Sequence, residues 1–501
     1  MAGFFKRLKE ELFGKSPTPK GEEEDSVSGY DVSKDVAVSG ASVTSKSGRD
    51  AYFVQIGLDF GTAFCKCVCR DVTVGDRAWV HLPDQAANAA LPFLTSSSLS
   101  FSKGMLGHSR GASGDYTADG LAHIKMALEK VALKRWDDPV LIAFKGKAAA
   151  AGDVPLAEFV EGCAVYLLAG ILGGVRKDIA GRFAGNIEGD YQAVNMAVPV
   201  ANAEDPKVSE LFNRVLRLAW VLADEFRGFP ASPWPFVSGK IAAAKERADS
   251  TATREACFVY PEVSANVQCF VRSRTSSEGI YLFSDTGAGT VDQSVFIFLR
   301  TPGGAEQLTY LHANVFSLGS SQIERLAAEV DGDSSWTALE NWRSRKEAGA
   351  SETALVQAKN RIGSELATGT NLTICDAKRK LIRKPQINDL RVLFGGGGHT
   401  DVPYARSVTK QFDGGLFHPD AVTARRNRRE TFEIGLPIPS DLGLTADQQT
   451  WMNRLTVAYG LSFERGDLSD FRFPCDVEPP NPDQVWKPQR GSNHAPSKDE
   501  V

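Results

Sequence analysis

A chain of 501 residues, 42% hydrophobic and 24% charged, has the composition of an ordinary globular protein and length for two or three domains. The formal net charge of −5 gives no global attraction to a polyanion, so no nucleic-acid partner is expected, and no apolar run reads as long enough to span a bilayer. The 8 cysteines include no CxxC pair and no signal peptide is read ahead of them, so a cytoplasmic, reducing location is expected.

Residues 1–15, MAGFFKRLKEELFGK, read as a short helix with Phe4, Phe5, Leu8 and Leu12 inside roughly 100° of arc and Lys6, Arg7 and Lys9 turned away from it. Two roles fit such a helix equally: peripheral contact with the inner face of a membrane, or packing on this chain or on a partner. The remainder of residues 1–50 is rich in Ser, Gly, Pro and charge and reads as a flexible tether.

The core begins at Ala51. Val54, Ile56 and Leu58 alternate as a buried strand should, and a turn follows at Asp59. Thr62 can offer a hydroxyl, and Lys66 a positive charge, to phosphate oxygens. Cys65, Cys67 and Cys69 share one face of the next strand and read as small core residues, with no clear fourth ligand for a metal. A strand over 91–101, a helix and exit turn over 120–139, a long helix from 155 and a strand ending near Val198 follow. The next helix carries an apolar stripe at Val208, Leu211, Phe212, Val215, Ala219 and Leu222.

YLFSDTGAGTVDQSVFIF, residues 281–298, reads as a strand, a glycine turn opened by an acid, and a second strand. Gly287 and Gly289 lack a Cβ and can enter positive-φ conformations, letting backbone N–H groups approach an anion. Asp285 stands where a carboxylate could hold hydrated Mg²⁺ against that anion. VQIGLDFGTAFCKCVCRD, residues 54–71, repeats the pattern, and two such turns suggest two loops closing on one nucleotide.

That pair resembles the actin-like and heat-shock chaperone (DnaK-type) ATPase superfamily, from about residue 52 to about residue 465. LDFGTAFCK looks like the first phosphate loop, with Gly61, Thr62, Ala63 and Lys66, the lysine at the spacing of actins. FSDTGAGTVD looks like the second, with Gly287, Ala288 in place of a glycine, Gly289 and Thr290. VFSLGSSQIERLAAE resembles the helix start that contacts nucleotide through Gly319 and Ser320. LFGGGGHTDVPY resembles the adenosine loop, with Gly395, Gly396, Gly397 and Gly398. ETALVQAKNRIGSELA looks like the adenine-sandwiching helix; Lys359 is retained, while Asn360 replaces an arginine, and Arg454 replaces an acid before the final helix, TVAYGLS. In the resemblance Lys125 takes the place of the catalytic lysine, and Glu262 that of the acid orienting metal-bound water.

The resemblance implies an α/β, actin-like ATPase fold: two similar lobes of mixed sheet flanked by helices, over 51–255 and 256–465, with inserted subdomains, a nucleotide cleft between them and a polar Pro-rich tail over 466–501. It implies ATP and Mg²⁺, with Asp59 and Asp285 as water-mediated metal holders and Asp285, Glu262, Lys125 and Thr290 as catalytic residues. About three dozen residues follow Arg465 and read as too polar for a substrate-binding domain, so a separate protein partner is the expected recipient of any nucleotide-driven motion. The expected function is a chaperone-like, Mg-dependent ATPase switch. A self-assembling bacterial actin relative, a small-molecule kinase and a non-hydrolysing relative remain alternatives.

Overall fold

The structure, a computed structural model, describes residues 49–479 except 74–76, 85, 88–89, 110–118, 186, 199–204, 275, 302–303, 382–386, 388, 401 and 414–432. The amphipathic helix of residues 1–15, nearly all of the tether and the tail from 480 onward lie outside the described residues. The class is mixed α/β.

In chain order the strands are β1 (Phe53–Phe60), β2 (Phe64–Asp71), β3 (Arg77–Val80), β4 (Thr95–Ser96), β5 (Leu99–Ser102), β6 (Met105–His108), β7 (Gly120–Leu121) and β8 (Tyr191–Val198). Then come β9 (Ser232–Pro233), β10 (Cys257–Pro261), β11 (Gly279–Thr286), β12 (Val291–Arg300), β13 (Glu306–Phe316), β14 (Arg391–Gly395), β15 (Glu433–Ile434) and β16 (Asp470–Arg472).

The first large sheet runs β10-β8-β1-β2-β3 with β4 also on β2, and the second runs β15-β14-β11-β12-β13-β16. In each, the central strand turns back antiparallel into the next strand, which pairs antiparallel with a third. On its other edge the central strand takes a parallel neighbour reached by a long crossover, and that neighbour takes a further parallel strand. One strand plan is therefore used twice, and the chain builds two sheets whose central hairpins correspond. β10 lies beyond residue 255 yet completes the first sheet, and β16 lies beyond residue 465 yet joins the second. A small sheet, β7-β5-β6-β9, is inserted in the first half.

The central strands are buried on both faces, as a strand covered by helices must be. Val54, Ile56, Leu58 and Phe60 are fully buried, and Cys65, Cys67 and Cys69 are core residues of the same cluster. The helix Leu156–Arg182 packs against the helix Pro206–Val221, and both share one hydrophobic cluster with β1 and β2. Over 18 residues it is apolar enough to cross a membrane, which corrects the expectation that no run qualifies; 78% of that stretch is buried inside the protein, where it serves as the core helix. The stretch 232–255 forms the helices Trp234–Ala248 and Thr251–Ala256, with Trp234 seated against Gly162 and Phe159.

The helix Met452–Leu461 returns from the far end of the chain to β1 and β2. Its approach is so close that a Cβ on Gly57 would lie 2.0 Å from the Ala458 carbonyl oxygen, and one on Gly460 would lie 1.9 Å from that of Ala265. Arg70, 1% exposed, fixes the end of this helix by pairing with Asp441 at 2.6 Å and stacking 3.8 Å over the Phe463 ring. Strand, short helix Glu262–Asn266 and C-terminal helix are thereby locked together beneath the two hairpins.

Candidate functional site

The hairpin register decides which side chains face each other. In the first hairpin Asp59 stands directly opposite Lys66, and the lysine Nζ lies 2.5 Å from Asp59 Oδ2. Asp59 is 3% exposed, and its Oδ1 is buried without a hydrogen-bond partner among the described residues. The turn is tied back by Ser97, whose hydroxyl donates to the Gly61 carbonyl at 2.8 Å and whose N–H donates to that of Ala63 at 2.8 Å. Gly61 is sterically required, since a Cβ there would sit 2.3 Å from the Phe64 carbonyl oxygen.

In the second hairpin the equivalent positions are both acids: Asp285 stands opposite Asp292. Like charges facing each other across a ladder repel, and here the surroundings supply the compensation. Asn266 Nδ2 donates to Asp285 Oδ2, and Thr456 donates to Asn266 Oδ1, which fixes the amide with its N–H toward the acid. Thr290 donates to Asp292 Oδ2 at 2.8 Å.

The turn itself is held by the start of the helix Ser321–Asp331. Gly319 N–H donates to the Gly289 carbonyl at 3.2 Å, Ser320 N–H to that of Gly287 at 3.0 Å, and Ser321 to that of Ala288 through its N–H at 2.9 Å and its hydroxyl at 2.6 Å. Gly287 and Gly289 are not in the left-handed region, contrary to expectation. A Cβ on Gly289 would lie 2.8 Å from Met126 Sδ and 3.0 Å from Thr62 Cγ2, side-chain atoms that can give way, whereas one on Gly319 would lie 2.3 Å from the Ala288 backbone oxygen, which cannot. The same measurement shows that the first turn, through Thr62, and the second, through Gly289, are in contact.

Lys125, in the first turn of the helix Ile124–Ala132, pairs with Glu262 at 2.7 Å. A cation there opposes the helix dipole, and no acid stands in that turn to offset it. Burial alone would lower the Lys125 ammonium; Glu262, Asp59 and Asp292 together hold it above its usual range. The acids move the other way. Burial, then the Glu262 charge, pushes the Asp285 carboxyl up to about 7 against the opposing pull of Asn266 and Lys66, and the same two causes push Asp292 up to about 8. Four carboxylates, Asp59, Glu262, Asp285 and Asp292, thus share two lysines, Lys66 and Lys125.

This set fits Mg²⁺ on two counts. The donors are hard oxygens, and the orphaned Asp59 Oδ1 and the two raised carboxyls are the marks of negative charge in need of a cation. Among the described residues no group of three or more His, Cys, Asp or Glu is placed to ligate a metal directly.

The glycine run lies against the second hairpin. Gly396 adopts φ 76°, and a Cβ there would lie 2.2 Å from Asp285 Oδ1. Gly395 packs on Phe283, Gly398 on Thr286 and Ser320, and Gly397 under the Arg454 guanidinium, where a Cβ would lie 1.9 Å from a terminal nitrogen. The Gly396 N–H donates to the Asn453 carbonyl at 2.9 Å. Lys359 is half-buried on the helix Thr353–Lys380 and makes no ion pair with the cluster among the described residues.

The structure therefore brings Asp59, Thr62, Lys66, Lys125, Glu262, Asp285, Gly289 and Thr290 to one place and joins Gly319, Ser320 and the four glycines to it on the side of the second hairpin. Sequence reasoning passed over Asp292, Asn266 and Ser97. Asp292 was within reach: once the glycine turn centres the hairpin, the partner of Asp285 follows by counting outward. No protein-family model matches the chain, and no curated protein matches its sequence.

Proposed function

We propose that this chain binds Mg·ATP between its two central hairpins, hydrolyses it, and acts as a nucleotide-controlled switch for a separate protein. The observation that carries the reading is the duplicated strand plan, with an acid-opened glycine turn at the same place in each sheet and the two turns touching at Thr62 and Gly289. The fold proposed is accordingly the actin-like ATPase fold. The residues divide by chemistry. Lys66 and Lys125 neutralise phosphate oxygens, and Thr62 and Thr290 offer hydroxyls to them. Asp59, Asp285 and Asp292 would hold Mg²⁺ through its water, and the ion would supply neutralisation of the phosphate charge. Asp285 accepts the proton of the attacking water as the water oxygen bonds to the γ-phosphorus and the bond to the β-phosphate oxygen breaks, releasing ADP. The glycine run and Arg454 border the nucleoside end.

Because the turns belong to different sheets, a ligand touching both biases the lobes toward closure by its differential affinity for the two states. Partner affinity is then expected to differ between ATP and ADP by a factor of about 5 to 150. The test is steady-state phosphate release with Mg·ATP, in the wild type and in Asp285→Ala and Lys125→Ala. Each substitution is expected to lower turnover at least about a hundredfold, the scale of losing a transition-state charge stabiliser. Unchanged turnover in both, or hydrolysis indifferent to Mg²⁺, refutes the assignment, and phosphate transfer to a sugar replaces it with a kinase.

A further inference from the structure

Within one turn at the start of the helix Ile124–Ala132, three side chains reach three parts of the site. Lys125 pairs with Glu262 at 2.7 Å. Met126 places its sulfur against Gly289 of the second hairpin turn. His123, which starts the helix, makes a 3.1 Å hydrogen bond through Nε2 with an Arg325 terminal nitrogen. Arginine can only donate, so Nε2 accepts and the proton of the neutral ring sits on Nδ1. Burial, then the Arg325 charge, holds the imidazole down at about 4, consistent with a neutral acceptor.

Arg325 lies on the helix Ser321–Asp331, the one whose first residues pin Gly287, Ala288 and Gly289. The bond therefore joins the residue two before Lys125 to the helix that fixes the opposing turn. It is formed at a cost. His123 holds φ 59°, a left-handed conformation unfavourable for a residue that bears a side chain. Its Nδ1 is buried with no partner among the described residues. Strain and an unsatisfied donor at one residue persist only where the surroundings over-determine the geometry, and the surroundings here are the Arg325 bond on one side and the Lys125 pair on the other.

We propose that Arg325 and His123 are a positioning pair for the hydrolytic reaction: Arg325, acting through His123, seats the first turn of the helix so that Lys125 reaches the γ-phosphate when the lobes are closed. The inference rests on the ATPase reading above. Neither residue touches the reacting atoms; the pair sets where Lys125 is. Simple lobe packing would weaken nucleotide binding and turnover together, whereas positioning acts on turnover.

Two measurements on the full chain test it. The first is hydrogen exchange at the amides of residues 127–132 without nucleotide; the second is kcat and KM for Mg·ATP. Arg325→Ala is expected to speed exchange about tenfold and to lower kcat about 10- to 100-fold, the effect of losing a hydrogen bond from a charged donor, with KM changed less than about twofold. Arg325→Lys keeps a donor, and His123→Asn keeps an acceptor on a residue that tolerates the left-handed region, so each is expected to retain kcat within about fivefold of the wild type. Exchange and kcat unmoved in Arg325→Ala overturn the pair while leaving the ATPase standing. A KM that rises with kcat unchanged also overturns it, as does loss in the Lys and Asn variants equal to that in Ala. A wild type that binds no ATP sinks the ATPase reading itself, and the exchange data then decide separately whether Arg325 seats the helix.

Discussion

Replacing Asp285 by asparagine tests the electrostatics of the cluster without any nucleotide. In the folded protein the Asp285 carboxyl sits at about 7, raised first by burial and then by Glu262, whereas in the unfolded chain it titrates near its ordinary value of about 3.9. Between those two values the folded form holds a proton that the unfolded form has lost. Stability therefore falls as pH rises through this window and stays low above it. A displacement of roughly three units corresponds to about 4 kcal/mol at most. Asp285 is half-buried, so a figure of about 2–4 kcal/mol is the better expectation once solvent screening is allowed for. Asp285→Asn removes the titration and retains an oxygen to accept from Asn266 Nδ2. At pH 8, in a chelating buffer, the variant is expected to melt roughly 5–10 °C above the wild type, on the scale of a few degrees per kcal/mol for a lobe of this size. At pH 3, below both values, the two should coincide. Mg²⁺ should raise the wild-type midpoint at pH 8 and do much less for the variant. Coincident melting at pH 8, or a wild type whose stability rises from pH 5 to pH 7.5 in step with the variant's, would show that the acids are compensated some other way.

Three further outcomes are expected. Gly319→Ala drives a Cβ to 2.3 Å from the Ala288 backbone oxygen, with no flexible group to yield, so it should destabilise the protein by about 1–3 kcal/mol, read by denaturant titration, and loosen the second turn. Gly289→Ala meets the mobile Met126 sulfur and the Thr62 methyl instead; it should leave stability within about 1 kcal/mol of wild type while weakening nucleotide binding measured by calorimetry. Phe5→Glu, on the apolar face of the N-terminal segment, should release the protein from anionic vesicles in a flotation assay with ATP turnover intact, and equal flotation after deletion of residues 1–20 would rule the anchor out.

What was legible in the sequence was local and repetitive. Alternating Val54, Ile56 and Leu58 marked a buried strand, and the glycine turns after Asp59 and Asp285 marked two hairpins, because strand period and turn chemistry are written into neighbouring residues. What escaped was set by distant parts of the chain. Asn266 points its N–H at Asp285 because Thr456, 190 residues away, holds the other end of the amide. The close approach of Gly289 to Met126 and Thr62 is set by the fold, not by its own φ, and no local pattern announces a neighbour more than 160 positions upstream. Asp292 lay between these cases: its opposition to Asp285 follows from hairpin counting, but the raised proton affinity of the pair comes from burial and then from Glu262, on a short helix outside the hairpin. The division has a physical basis. Backbone geometry is decided within a few residues, whereas the charge on a side chain is decided by whatever the fold brings within a few ångströms. A chemical role for Asp285 thus cannot be separated from the positions of Glu262 and Asn266, so changing either should move the Asp285 titration in a predictable direction. Glu262→Gln removes the larger charge that raises it and should bring the Asp285 carboxyl down, and Asn266→Ala removes the bond that lowers it and should send it higher. Both shifts can be followed by carboxyl-carbon NMR of the nucleotide-free protein. Movement of either in the opposite sense would mean that the Asp285 carboxyl is governed by a group other than the ones packed against it.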